Sequence, residues 1–334
     1  MRRLSVFELI AAPIRQVSRL LAAPNGLSLL TSFFFACAFF AHSTASHAKA
    51  DCGAEAMAHA QRSVAAVDTW EAQLLASLMY RWGDVFERPI EPGIESSFEH
   101  LAKAQRLAPD YEPILFALAL ECPRGATDAA YRCQRAYALR LLHLDEGNGW
   151  YWSMLAPAQH YFGETQAAFE SIGRAIDAPY FSTLWGKQAA LFSEALGTVP
   201  AVTEACAFAL ASELASRNQP SFDVLETFCR SRFEEEDWRH ACLNLGEAME
   251  MKGAPIYGFW LQRIALEAGG DSEALDVVLR RRQRFERDSD KFLVDSFCLN
   301  RNPAEKRRWL ANMTIFPDRE ALEVARSRTP ECKD

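Results

Sequence analysis

The chain has 334 residues, 49% of them apolar and 24% charged, with 16 glycines and 15 prolines. That length allows one large domain or two of ordinary size, and the composition excludes disordered, collagen-like and mucin-like chains. Formal net charge is −8, and residues 1–50 are basic, so the remainder carries −12; a surface that acidic repels phosphate backbones and excludes nucleic acid as a general partner.

In chain order, the first predicted element is an export signal. Four arginines (Arg2, Arg3, Arg15, Arg19) precede Leu27 to Ala41, a stretch of fifteen residues without a charge. At about 1.5 Å per residue this spans about 22 Å, short of a bilayer core of about 30 Å. A small, polar tract then ends in Ala48-Lys49-Ala50, the small-x-small form that a signal peptidase needs. Residues 1–50 therefore read as a signal peptide, with a mature start at Asp51, a periplasmic or secreted product, and no stable membrane insertion after cleavage. Neither Cys37 nor Cys52 is preceded by the aliphatic and small residues of a lipoprotein site, so no lipid anchor is expected.

From Cys52 onward apolar residues recur at three and four, as in Phe116 to Leu120 and in Leu243, Leu245 and Met249. Turn and cap compositions fall at 88–93, 123–126, 146–149, 197–200, 218–220, 269–271 and 316–318, leaving segments of ten to twenty residues. The prediction is an all-α chain of about fourteen helices, divided into an N-terminal helical region (51–109), a repeat region (110–272) and a C-terminal helical cap (273–334).

Eight cysteines follow the signal, an even number in a chain read as exported, and no two are closer than eleven residues. This excludes C-x-x-C redox and zinc-ribbon motifs and favours disulfides over buried free thiols, although eight cysteines allow 105 pairings. Position relative to the turns narrows the choice. Cys229 and Cys242 lie about one helical turn either side of the break at 234–237, so an antiparallel helix pair brings them level. Cys122 and Cys133 flank the turn after Pro123 in the same way. Cys298 and Cys332 staple the C-terminal helix back, and Cys52 with Cys206 remains by elimination.

Two segments share one helix-turn-helix template. Leu155-Ala156, Gly163, Ala168, Ile172 and Ala175 in the first match Leu245-Gly246, Gly253, Gly258, Gln262 and Ala265 in the second, position for position, and a third copy ends at Leu107-Ala108-Pro109. Small residues at 156 or 246 and at 168 or 258 let two helices approach closely, while the glycine at 163 or 253 makes the turn. These residues resemble the tetratricopeptide family. Leu245-Gly246, Trp260, Ala265, Gly269 and Ala274 are also similar to its Sel1-like relatives. The resemblance implies antiparallel helix pairs stacked as a disulfide-tied α-solenoid. It also implies that Trp150, Ser153, Pro157 and His160 share a concave face with His240, Leu243, Glu247 and Glu250, a groove suited to an extended peptide. The alternative is that Trp150 and Tyr151 cover the preceding helix pair.

Catalytic motifs are missing. The chain has no H-E-x-x-H, no G-x-S-x-G and no phosphate-cradling glycine motif, so no catalytic residue, metal ligand or cofactor is predicted. The run Glu234 to Asp237 precedes Trp238 where acids stabilise a helix N-terminus. Arg280, Arg281, Arg282, Arg284 and Arg287 read as a solvated face answered by Asp276, Glu286, Asp288 and Asp290, with a landing site for anionic lipid or polysaccharide as the sharper reading. Two functions follow: a non-catalytic protein- or peptide-binding module of the bacterial cell envelope, or an envelope hydrolase acting on cell-wall material.

Overall fold

The computed structural model describes residues 54–81, 97–123, 127–200, 202–219, 222–296, 298–299, 302–312 and 319–332. The predicted signal, Cys52, and the breaks predicted at 88–93 and 316–318 lie outside them. Among the described residues the regular structure is helical: α1 (Ala54–Ala65), α2 (Trp70–Arg81), α3 (Ser97–Leu107), α4 (Glu112–Leu120), α5 (Asp128–Leu144), α6 (Gly149–Tyr161), α7 (Thr165–Asp177) and α8 (Trp185–Gly197). There follow α9 (Glu204–Arg217), α10 (Asp223–Arg230), α11 (Glu236–Met251), α12 (Pro255–Gly269), α13 (Ser272–Ser296), α14 (Pro303–Asn312) and α15 (Arg319–Arg328). The fold class is all-α, as the periodicity predicts.

Several helix starts are written in the local sequence. Thr127, Asn148 and Thr203 each accept a hydrogen bond from a first-turn amide of α5, α6 and α9, supplying an acceptor to donors that the helix leaves open. Pro113 and Pro255 occupy first turns, where a missing N–H costs nothing. Glu236 and Asp237 fall in the first turn of α11, where the acid run was expected to act.

Neighbouring helices pack as pairs. The turn between α6 and α7 is made by Gly163 at φ 81°, and that between α11 and α12 by Gly253 at φ 117°, a region of backbone space that side chains with a Cβ rarely enter. Between α11 and α12 the approach is close enough to exclude a Cβ. One added at Gly258 would lie 2.4 Å from Glu250 N and 2.5 Å from Gly246 O. The matching positions of the α6–α7 pair, Ala156 and Ala168, are fully buried.

From α4 to α7 each helix packs on the next, and from α11 to α13 the same holds. The join between these series is not sequential: α7 packs directly on α11, while α8 and α9 pair with each other and fold back onto α2, with α8 also against α14. Leu184 at φ 58° starts this excursion, a left-handed conformation that costs a non-glycine residue roughly 1–2 kcal/mol. Its neighbours are firmly held. Asn148 brackets Ser182 through two hydrogen bonds, Nδ2 to Ser182 O at 2.8 Å and Ser182 N to Oδ1 at 3.0 Å. Phe181 N donates to Lys252 O at 2.7 Å. Lys252 Nζ in turn donates to Ile176 O and Ala178 O, placing a cation on the C-terminal end of α7. At the far end of the excursion the buried Asn218 donates to Gln188 Oε1 and to Pro113 O, 105 residues away.

Three of the four expected disulfides are present: Cys122–Cys133, Cys229–Cys242 and Cys298–Cys332, with Cα separations of 5.6, 6.1 and 5.2 Å. Cys206 is also disulfide-bonded; its expected partner, Cys52, lies outside the described residues. Cys229–Cys242 closes a thirteen-residue separation between α10 and α11, a loop for which restriction of the unfolded chain contributes about 3 kcal/mol. Replacing both cysteines with alanine should lower the unfolding free energy by about that amount in a urea titration. An unchanged midpoint would show that the link adds nothing to the native state.

Candidate functional site

The predicted groove residues do not converge. Trp150 is 1% exposed, packed edge-on against Phe181, Phe222 and Tyr257 with ring centres 6.3, 6.4 and 5.0 Å away. This corrects the reading of Trp150 as an open groove wall and favours the alternative of a core role. The physical cause is α10. Phe222, Leu225 and Phe228, spaced by three, make an apolar stripe on and just before that short helix, and it packs against α6 on the face the groove needed.

His160 is covered from the same direction. Its ring meets Phe228 at 5.5 Å and Trp238 at 5.8 Å, and its Nδ1 is buried without a hydrogen-bond partner. Burial, then the charge of Arg232, push its pKa below the usual histidine value, with Glu235 opposing. The ring therefore stays neutral at physiological pH and packs as an aromatic. His240 and Glu247 are exposed on α11, with His240 Nε2 4.0 Å from Glu236. Only Glu250 among the five candidates lines a cleft with other charged groups.

Two clefts frame the choice. A narrow apolar one between α4, α5, α6 and α10 is lined by Phe116, Leu120, Trp150, Pro157 and Leu225, among others. The second, about 740 Å³ including its open mouth, lies between the end of α11, the start of α12 and the middle of α13. Its walls are Glu250, Pro255, Phe259, Arg281, Arg284, Phe285 and Asp288. No family model, curated protein or solved structure matches the chain. The site is therefore argued from its own chemistry.

The second cleft has a fixed polar wall. Gln262, fully buried on α12, donates to Glu250 Oε2 at 2.8 Å and accepts from Arg281 Nη2 at 2.8 Å, while Arg281 Nη1 stands 3.3 Å from Glu250 Oε2. A buried amide that bridges an acid and a base in this way holds both side chains in one geometry and satisfies most of their polar atoms. Beside it, the rings of Phe259 and Phe285 lie 5.8 Å apart and join a small core with Leu266 and Val278. The arrangement can accept an apolar group on the rings and an anion at the guanidinium groups.

The arginine-rich face of α13 matches its predicted salt-bridged state only in part, and the side chain of Asp290 lies outside the described residues. Arg282 pairs with Glu286 and Arg281 with Glu250. Arg280, Arg284 and Arg287 have no ion-pair partner among the described residues, and all three are exposed. At one residue per 100° these three fall within about 60° of one another, so they form a single stripe beside the cleft. Sequence reasoning counted acids near these arginines but could not place them: an i,i+4 neighbour such as Asp288 pairs with Arg284 only if both rotamers turn toward each other.

Lys306 is strongly perturbed as well. Its Nζ sits 3.3 Å from the centre of the Phe208 ring, and burial lowers its pKa to about 7. It belongs to the α14 packing interface and lines neither cleft.

Proposed function

We propose that this chain is an exported, non-catalytic module of the bacterial cell envelope that holds a protein or an extended peptide. The observation that carries the reading is the open cleft of α11, α12 and α13. It combines a preset Glu250–Gln262–Arg281 wall, an aromatic floor and, beside them, three exposed arginines without an ion-pair partner among the described residues. Recognition surfaces join these features because fixed polar groups give register while rings supply contact area.

Export is supported by three disulfides, which persist in oxidising compartments, and by the predicted signal. Among the described residues no helix is long and apolar enough to cross a membrane. A tetratricopeptide-like arrangement, with α6–α7 and α11–α12 as equivalent units, is supported by their glycine turns at positive φ and by α7 packing on α11. On this reading α8 to α10 are an insertion between units, which accounts for a spacing from Tyr180 to Arg239 that is not a whole number of repeats.

The hydrolase alternative calls for a histidine with two carboxylates in one pocket, and neither cleft contains a histidine. A single experiment separates the two readings. The immobilised protein is presented with a tryptic digest of envelope extract and, separately, with purified cell-wall material. Retention of a discrete peptide set with the wall material unchanged is the expected result. Cleavage of the wall material with no peptide retained would overturn the proposal.

A further inference from the structure

We infer that the partner segment is acidic, and that it docks along Arg280, Arg284 and Arg287 with one aromatic or aliphatic side chain in the cleft floored by Phe259 and Phe285. This deepens the peptide-binding reading and rests on it.

Charge complementarity carries the argument. The chain as a whole is acidic, with net charge −8, yet this one stripe presents three exposed guanidinium groups without an acid partner among the described residues. Adjacent like charges repel, so leaving them unanswered lowers stability slightly unless something outside the chain supplies the countercharge. Arg281 is different: its contacts to Glu250 and Gln262 fix it as the inner edge of the site, and its buried Nε still lacks a hydrogen-bond partner. Glu250 is balanced by Arg281, and Asp288, which also lines the cleft, is engaged in interactions of its own.

Geometry selects an extended segment. Arg280 and Arg284 are four residues apart, about 6 Å along the helix axis. Alternate residues of an extended chain are about 6.7 Å apart and point to one side. Acids at alternate positions therefore match Arg280 and Arg284, while the step from Arg284 to Arg287, about 4.5 Å, is shorter and is spanned by the length of the arginine side chains. Next in sequence to the cleft residues Glu250 and Pro255, Met251 and Ile256 are exposed by 72% and 38%. Charges beyond about 8 Å are screened at physiological salt. A short acidic segment thus feels this stripe more than it feels the acidity of the remaining surface.

The test uses fluorescein-labelled Asp-Glu-Asp-Phe-Asp-Glu-Asp against the purified protein, read by fluorescence anisotropy. Three comparisons accompany it: the same peptide with Asn and Gln for the acids, the same peptide with Lys for the acids, and vesicles of phosphatidylglycerol. The acidic peptide should bind, the uncharged and lysine peptides at least tenfold more weakly. Arg284→Glu should cost about tenfold in affinity, with the melting temperature unchanged because the side chain is exposed. The triple Arg280→Glu, Arg284→Glu, Arg287→Glu variant should prefer the lysine peptide. Equal binding of acidic and uncharged peptides, or arginine-dependent binding of the vesicles without binding of the acidic peptide, would overturn the inference. If these fail while envelope peptides are still retained by the immobilised protein, the acidic class is wrong and the peptide-binding reading stands. If retention fails as well, both fall.

Discussion

Replacing Trp150 with alanine should destabilise the protein by roughly 3–5 kcal/mol. The indole is the hub of an aromatic group in which Phe181, Phe222 and Tyr257 each present an edge to it. Those three come from the link into α8, the start of α10 and the first turn of α12, so one side chain ties three distant parts of the chain to α6. Truncation leaves a cavity that rigid rings cannot collapse to fill, because Phe181 already closes on Gly149 so tightly that a Cβ there would fall 2.5 Å from its ring. For a chain of this size the melting temperature should drop by about 10 °C. A drop of less than about 2 °C in thermal denaturation would show that the ring is not core, and would reopen the groove on the face of α6 that α10 packs against.

The second large effect is expected at Gly258. A methyl group at this position would meet backbone atoms of Glu250 and Gly246 at 2.4 and 2.5 Å, closer than non-bonded atoms come. Backbone cannot rotate away as a side chain can, so α11 and α12 would have to separate. Gly258→Ala should therefore cost about 3 kcal/mol, at the upper end of the usual overpacking penalty. Gly173→Ala is the matched comparison. It lies inside α7 with nothing within 4 Å of the added atom, and alanine is the better helix former by about 0.5–1 kcal/mol, so this substitution should raise stability. Urea midpoints for the two variants should move in opposite directions. A shift of the same sign would mean that helix propensity, not close approach, governs both sites.

Much of the fold was legible because the signals were local. Apolar residues at three and four specify helices wherever they occur, and a cysteine one turn either side of a break meets its partner when the two helices fold back. The glycines at 163 and 253 show in sequence because few other residues enter the left-handed region at a turn. What could not be read was the destination of α8 to α10. Their own sequences are helical, but the contacts that place them are long-range: Asn218 with Pro113, Lys252 with the end of α7, and α8 with α14. Trp150 was misplaced for the same reason. Its position in the repeat template points to an open face, and only the apolar stripe Phe222, Leu225 and Phe228, read as a covering helix, would have shown that the face is closed from within the chain.

The candidate site divides in the same way. Glu250 was singled out from its register position, and it does line the open cleft. Phe259 and Phe285 were not assigned to a site and Arg281 was read only as part of a basic stretch, because they come from two further helices and meet Glu250 only after α12 and α13 fold back on α11. Gln262 was recognised as the counterpart of Ile172 in the repeat template, yet its role as the bridge between Glu250 and Arg281 depends on burial that no single helix pattern reveals.

We propose the cleft of α11 to α13, and not the face of α6 covered by α10, as the seat of a partner. Site-specific photocrosslinking in the native host tests it most directly, with a photoreactive residue placed at position 284 in one strain and at position 224 in another. A discrete crosslinked protein or peptide is expected from position 284 and intact, uncrosslinked chain from position 224. A partner captured from position 224 alone would contradict it.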